Sequence, residues 1–171
     1  MNALNDGSRI YIDVCQQHAP AFPAPDGAPP TQAALRQYLT RWTITPARSD
    51  EFTMARLCEA VCEYPRIDER LLGRSYRYGF VACEGGPGTG DPFQRALGRF
   101  DHETQAMSVF HAGSEAAVSE GVFVAKSSTS AEGDGYLLAT LFDERRNASH
   151  LAIFDAQRIE AGPVARAHLD H

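Results

Sequence analysis

No run of about 18 apolar residues occurs in the chain, so no transmembrane helix is expected. Met1 is not followed by a charged segment and an apolar stretch, which leaves no secretory signal and points to the cytoplasm. Blocks of Lys and Arg are missing too. With 16 basic against 22 acidic side chains and a formal net charge of −6, neither nucleic acid nor an anionic membrane surface is an expected partner. Both need clustered positive charge. Cysteine is scarce: Cys15, Cys58, Cys62 and Cys83, with no Cys-x-x-Cys pair. A disulfide framework or zinc knuckle is therefore not expected, and the four thiols read as small buried hydrophobes in a reducing compartment.

Familiar catalytic signatures are absent as well. No Gly-x-Ser-x-Gly elbow surrounds Ser114, Ser119 or Ser127 to Ser130. The stretch Gly85 to Gly90 is followed by Asp91-Pro92-Phe93 rather than a helix start with Lys-Ser/Thr, so it reads as a loop and not a phosphate cradle. The acidic residues lack calcium-loop spacing. Of the histidines, only His168 and His171 are closely spaced, at the end of the chain where fraying is expected. His18, His102, His111 and His150 read as surface residues beside hairpins. No metal ligand and no catalytic residue is assigned from composition and motifs.

What the chain does contain is a series of short strand patterns in 171 residues, enough for one domain burying roughly two thirds of its unfolded surface. Arg9 to Val14 alternates with the period of a half-buried strand. Tyr38–Ile44, Tyr76–Cys83, Ala96–Asp101, Ala106–His111, Val122–Ala125, Tyr136–Phe142 and Leu151–Asp155 are apolar or β-branched runs. Turn residues at Pro23 to Pro30, Gly85 to Gly90 and Ser127 to Gly135 separate them. The exception is Asp50 to Glu63, where Met54, Leu57, Cys58, Val61 and Cys62 fall at helical spacing and predict a helix.

A weak repeat selects the architecture. Leu39-Thr-Arg-Trp42, Leu97-Gly-Arg-Phe100 and Leu151-Ala-Ile-Phe154 share a layout, with the aromatics 58 and 54 residues apart. That period suits a four-stranded propeller blade. Three such units reach Leu169, whereas propellers close with about four to eight blades. The predicted fold class is therefore all-β, a partial β-propeller of about three blades, with exposed edges that favour aggregation.

Two carboxylates stand beside apolar strands: Glu63 in Cys62-Glu-Tyr-Pro-Arg-Ile-Asp68, and Glu120 in Val118-Ser-Glu-Gly-Val-Phe-Val124. By themselves they suit turn acceptors in a non-catalytic propeller or sandwich module. Their surroundings add a second reading. Glu63-Tyr-Pro-Arg-Ile-Asp68 and Gly73-Arg-Ser-Tyr-Arg-Tyr-Gly79 resemble the Glu-Phe-Pro-Arg-Ile-Asp and Tyr-Arg-Tyr-Gly motifs of the carotenoid cleavage oxygenases, which include lignostilbene dioxygenases. Ser119-Glu-Gly-Val-Phe-Val124 resembles that family's Ser-Glu-Pro-x-Phe-Val segment. Asp134-Gly-Tyr-Leu-Leu138, Leu151–Asp155, Gly162–Ala165 and Asn2-Ala3 follow its order, so the similarity spans nearly the whole chain.

The resemblance implies a seven-bladed propeller holding a non-haem Fe(II) on four histidines. With O2, such enzymes split a conjugated C=C bond of a hydrophobic alkene into two carbonyl products. Glu63 and Glu120 match glutamates that accept the free ring N–H of ligand histidines, which fixes the tautomer and raises basicity. Gly121 in place of the family's proline implies a looser turn at Glu120. None of the six histidines matches a ligand position; the third ligand would precede Met1 and the fourth would follow His171. The expectation is thus a C-terminal fragment of an enzyme acting on an aryl alkene or apocarotenoid, without iron or activity of its own. The resemblance also replaces the helix over Asp50 to Cys62 with strand and loop.

Overall fold

Alternating apolar residues and closely spaced turns leave the chain no means of burying its surface except antiparallel sheets, and the computed structural model consists almost entirely of them. It describes residues 1–17, 20, 22–48, 51–85 and 93–169. The predictions for His18, Asp50, residues 86–92, Asp170 and His171 lie outside these residues.

The strands are β1 (Asn2–Asn5), β2 (Ile10–Gln17), β3 (Gln37–Ile44), β4 (Phe52–Ile67), β5 (Tyr78–Glu84), β6 (Gln94–Asp101), β7 (Ala106–His111), β8 (Ala116–Val118), β9 (Val122–Ala125), β10 (Gly135–Asp143), β11 (Ala148–Asp155) and β12 (Pro163–His168). One helical turn, Gln32–Leu35, is capped by the Thr31 side chain. Strands β1 to β7 form one continuous sheet in chain order. In it β4 plays two parts: residues 52–61 pair with β3, and residues 62–67 pair with β5. The result is three four-stranded meanders: β1-β2-β3-β4, then β4-β5-β6-β7, then β8/β9-β10-β11-β12.

The repeat read from the sequence falls on β3, β6 and β11, the third strand of each meander. Its spacing explains the packing. In β6, Leu97 and Phe100 are three residues apart and so face opposite ways. Leu97 joins Phe80, Leu137 and Phe154 between the second and third meanders. Phe100 joins Leu39, Cys62, Val81 and Cys83 between the first and second. The second meander is thus buried on both faces, as a blade in a propeller is. The third meander turns Val122, Val124, Tyr136 and Phe142 outward, each more than a third exposed.

The helix predicted from Asp50 to Glu63 is a strand. Arg56 and Val61 oppose Thr40 and Tyr38, so five steps of β4 run against two of β3. The extra residues bulge out and let Leu57 and Cys58 pack on the cluster around Leu39. That bulge produces a 3-to-4 spacing without a helix. The four cysteines also meet there: Cys62 and Cys83 are buried, Cys15 and Cys58 half-buried, and Cys15 Sγ lies 3.9 Å from Cys62 Sγ. Burial pushes the Cys83 thiol up to about 12, which suits a core side chain rather than a nucleophile.

Two polar clusters tie meanders together. Asp13, 1% exposed, accepts from Arg41 Nε and Nη2 at 2.7 Å each and from the Tyr76 hydroxyl at 2.5 Å. Arg70 donates to Asp68 and to the carbonyls of Ser127, Ser128 and Ser130. The prediction that His102 and His150 lie on the surface is wrong: both are buried, His102 by its side chain beside Asp13 and His150 in a polar recess at the end of the third meander. His111 and His168 are exposed.

Candidate functional site

Glu63 and Glu120 occupy equivalent places. Each sits in an irregularity of the first strand of its meander. In β4, Pro65 has no N–H to give the ladder. Glu63 opposes Ala82 while Arg66 opposes Phe80, so β4 carries one residue more than its partner. Tyr64 takes up the excess in the left-handed region, φ 52°, with its ring half exposed. In the third meander, Val118 opposes Leu141 and Val122 opposes Leu138, again one residue in excess. Ser119 bridges the break: its N–H donates to the Thr140 carbonyl, and its hydroxyl accepts from Thr140 N–H at 2.9 Å. Glu120 follows at the point where the two short strands part. Bulges re-aim side chains and are common beside active sites.

The two carboxylates are lightly held. Glu63 Oε1 accepts from Gln37 Nε2 at 2.8 Å, and no other side-chain bond to Glu63 exists among the described residues. Glu120 is 46% exposed, and its ion-pair partner is Arg66, 3.8 Å away. Arg66 also donates to Glu69 at 2.9 Å. Arg66 therefore links the segment carrying Glu63 to Glu120, which brings the two sequence-predicted residues to neighbouring bulges. Gly121 is buried, and a Cβ there would lie 3.0 Å from Leu137 Cδ1. Its close packing on Leu137 accounts for a residue without a side chain at that turn.

Sequence reasoning missed Gln37 and the bridging role of Arg66. Gln37 lies 26 residues from Glu63 and carries no motif; Arg66 stood inside the quoted motif, but its partner could not be read from it. A cleft of about 510 Å³ opens beside Arg41, Tyr76 and His102, and neither glutamate lines it. Among the described residues no three of His, Cys, Asp and Glu converge in a way that could hold a metal ion. The described residues therefore do not by themselves make up an iron site.

A family model described as retinal pigment epithelial membrane protein matches residues 1–171. The chain belongs to this family. It is the carotenoid oxygenase family that the motifs around Glu63 and Glu120 resemble. Among curated relatives, lignostilbene-α,β-dioxygenase isozyme III of Sphingomonas paucimobilis is 36% identical over 182 residues, covering 99% of this chain and 37% of that protein. The crystal structure of Pseudomonas brassicacearum lignostilbene dioxygenase aligns with a TM-score of 0.90 at 26% identity, over 99% of this chain and 38% of that one. Cobalt-substituted Synechocystis apocarotenoid oxygenase aligns with a TM-score of 0.88 at 26% identity, over 99% and 36%. The chain thus spans a little over a third of the length of these family members. The all-β, partial-propeller reading holds: its structural neighbours are β-propellers of which it covers a part.

Proposed function

We propose that the chain is the C-terminal part, about three blades of seven, of a dioxygenase that uses O2 to cleave a conjugated C=C bond into two carbonyl products. The preferred substrate is a lignostilbene or another hydrophobic aryl alkene, ahead of an apocarotenoid. Identity to the Sphingomonas enzyme supports that order, as does the Pro-rich insertion at Pro20 to Pro30, which resembles that branch. The resemblance assigns the redox chemistry to a non-haem Fe(II), and the ligands must come from outside this chain. The chain alone is proposed to hold no iron and to be inactive.

Within this reading Glu63 and Glu120 are positioning residues. Each carboxylate accepts the ring N–H of a histidine supplied by the rest of the protein, and so fixes which nitrogen faces the metal. The observation that carries this is their shared placement: two lightly bonded carboxylates in bulges of successive first strands, linked through Arg66. A carboxylate meant only to satisfy a turn accepts from its own backbone, as Asp101 does from Glu103 and Thr104. Neither glutamate side chain does so among the described residues. The test is turnover of a hydroxylated stilbene by the whole metal-loaded protein under ¹⁸O2. Two aryl aldehydes, with label in both, are expected. No cleavage of stilbene or apocarotenoid by the loaded protein overturns the reading.

A further inference from the structure

The end of the third meander carries a second polar cluster that the oxygenase reading leaves unused. The turn between β10 and β11 and the last residues of β12 enclose a recess of about 120 Å³, lined by Asp143, Arg146, Ser149, His150, Arg166 and His168. It lies across the sheet from Glu120: β8 and β9 pair with one edge of β10, while β12 lies beyond β11 on the other. His150 and His168 are cross-strand partners with ring centroids 5.8 Å apart.

Donors outnumber acceptors in this recess. Among the described residues Asp143 is the sole carboxylate lining it, and it is already engaged. Its Oδ1 accepts the backbone N–H groups of Arg145 and Arg146 at 3.0 and 3.1 Å, and its Oδ2 lies 3.7 Å from Arg146 Nε. The Arg166 guanidinium makes no hydrogen bond or ion pair among the described residues. His150 is 8% exposed, and its Nε2 is sealed from solvent without a partner. Ser149 adds a hydroxyl. A guanidinium cannot accept, and a buried ring nitrogen without a partner is costly. An ion that brings several acceptor oxygens would complete the set.

We propose that this recess binds a small oxyanion of the phosphate class. A tetrahedral dianion offers acceptor oxygens in several directions, matching Arg146, Arg166, Ser149 and the two imidazoles. A planar carboxylate offers two oxygens and leaves donors unserved. A transition-metal cation would find two imidazoles, yet it would sit against two guanidinium groups, one of them without a counter-charge among the described residues. The electrostatics agree with the geometry. Burial, then Arg166 and His168, hold His150 below the usual histidine range, with Arg146 acting the same way and Asp143 opposing them. A bound anion reverses that balance, so by linkage its affinity rises as pH falls and His150 gains a proton. The proposal stands apart from the oxygenase reading and does not need the metal.

The experiment is a titration of the protein with inorganic phosphate, followed by the ring proton resonances of His150 and His168. Potassium chloride at matched ionic strength is the control. Saturable shifts of both rings at low-millimolar phosphate, tighter binding at pH 6 than at pH 8, and an upward move of the His150 titration are expected. Arg166→Gln, an exposed position on β12, should weaken binding about tenfold while leaving the fold intact. His150→Gln should remove the pH dependence. A phosphate response no greater than the chloride response overturns the proposal. So does equal binding of acetate, an unchanged response in Arg166→Gln, or saturation of both rings by Zn²⁺ where phosphate has no effect.

Discussion

Replacing Tyr76 with phenylalanine deletes one hydroxyl from the most enclosed charge among the described residues. Asp13 is 1% exposed and has three hydrogen bonds: two from Arg41 and the 2.5 Å bond from Tyr76. Tyr76→Phe keeps the ring and removes the third, a bond to an ionised acceptor worth about 1.5–3 kcal/mol. For a chain of this length that lowers the melting temperature by roughly 3–12 °C. Urea unfolding is the assay: the midpoint should fall while the slope stays constant, because the packed surface is unchanged. Burial, with Asp13 beside it, pushes the Tyr76 hydroxyl far above its ordinary range. It remains a donor at any working pH, so the loss should be the same at pH 6 and pH 9. Asp13→Ala should cost more, about 3–5 kcal/mol, because it leaves the half-buried Arg41 charge uncompensated. A Tyr76→Phe protein within about 0.5 kcal/mol of wild type would refute the claim that this network joins the first two meanders.

Two other substitutions probe the same interface. A Cβ at Gly98 would meet Met107 Sδ at 2.9 Å, Val81 Cγ2 at 3.0 Å and Cys83 Sγ at 3.1 Å, so Gly98→Ala should destabilise by about 1–3 kcal/mol in the same unfolding assay. His102 lies with Nδ1 3.2 Å from Arg41 Nη2, which can only donate, so the ring proton is on Nε2. Burial above all, with Arg41 adding to it against Asp13 and Asp101, lowers His102 from 6.5 to about 4. The unfolded chain therefore binds this proton first: the contribution is complete above pH 6.5 and lost as pH falls towards 4. Stability measured across that window should decline in wild type and flatten in His102→Gln.

The elements most legible in the sequence are those with one simple job. β7 and β9 run over the residues predicted, Ala106–His111 and Val122–Ala125, because each pairs without interruption. β4 was not legible from periodicity, since it serves two meanders and bulges around Leu39 and again after Glu63. The burial of His102 was hidden for a different reason. Its neighbours Asp13, Arg41 and Tyr76 come from β2, from β3 and from the loop before β5, and no local pattern records that meeting. The same holds at the candidate site. Glu63 and Glu120 were visible through motifs, while Gln37 and the Arg66 bridge depend on register.

Iron affinity of the whole protein, wild type against Glu63→Gln and Glu120→Gln, tests the positioning role most directly. A glutamine keeps the size of the side chain but weakens its hold on a ring N–H, and loss of such a partner typically costs about 10- to 100-fold in metal affinity. The account predicts that loss in both variants, with the thermal unfolding of the metal-free protein unchanged. Wild-type iron affinity in both variants would contradict it and return Glu63 and Glu120 to the role of turn residues.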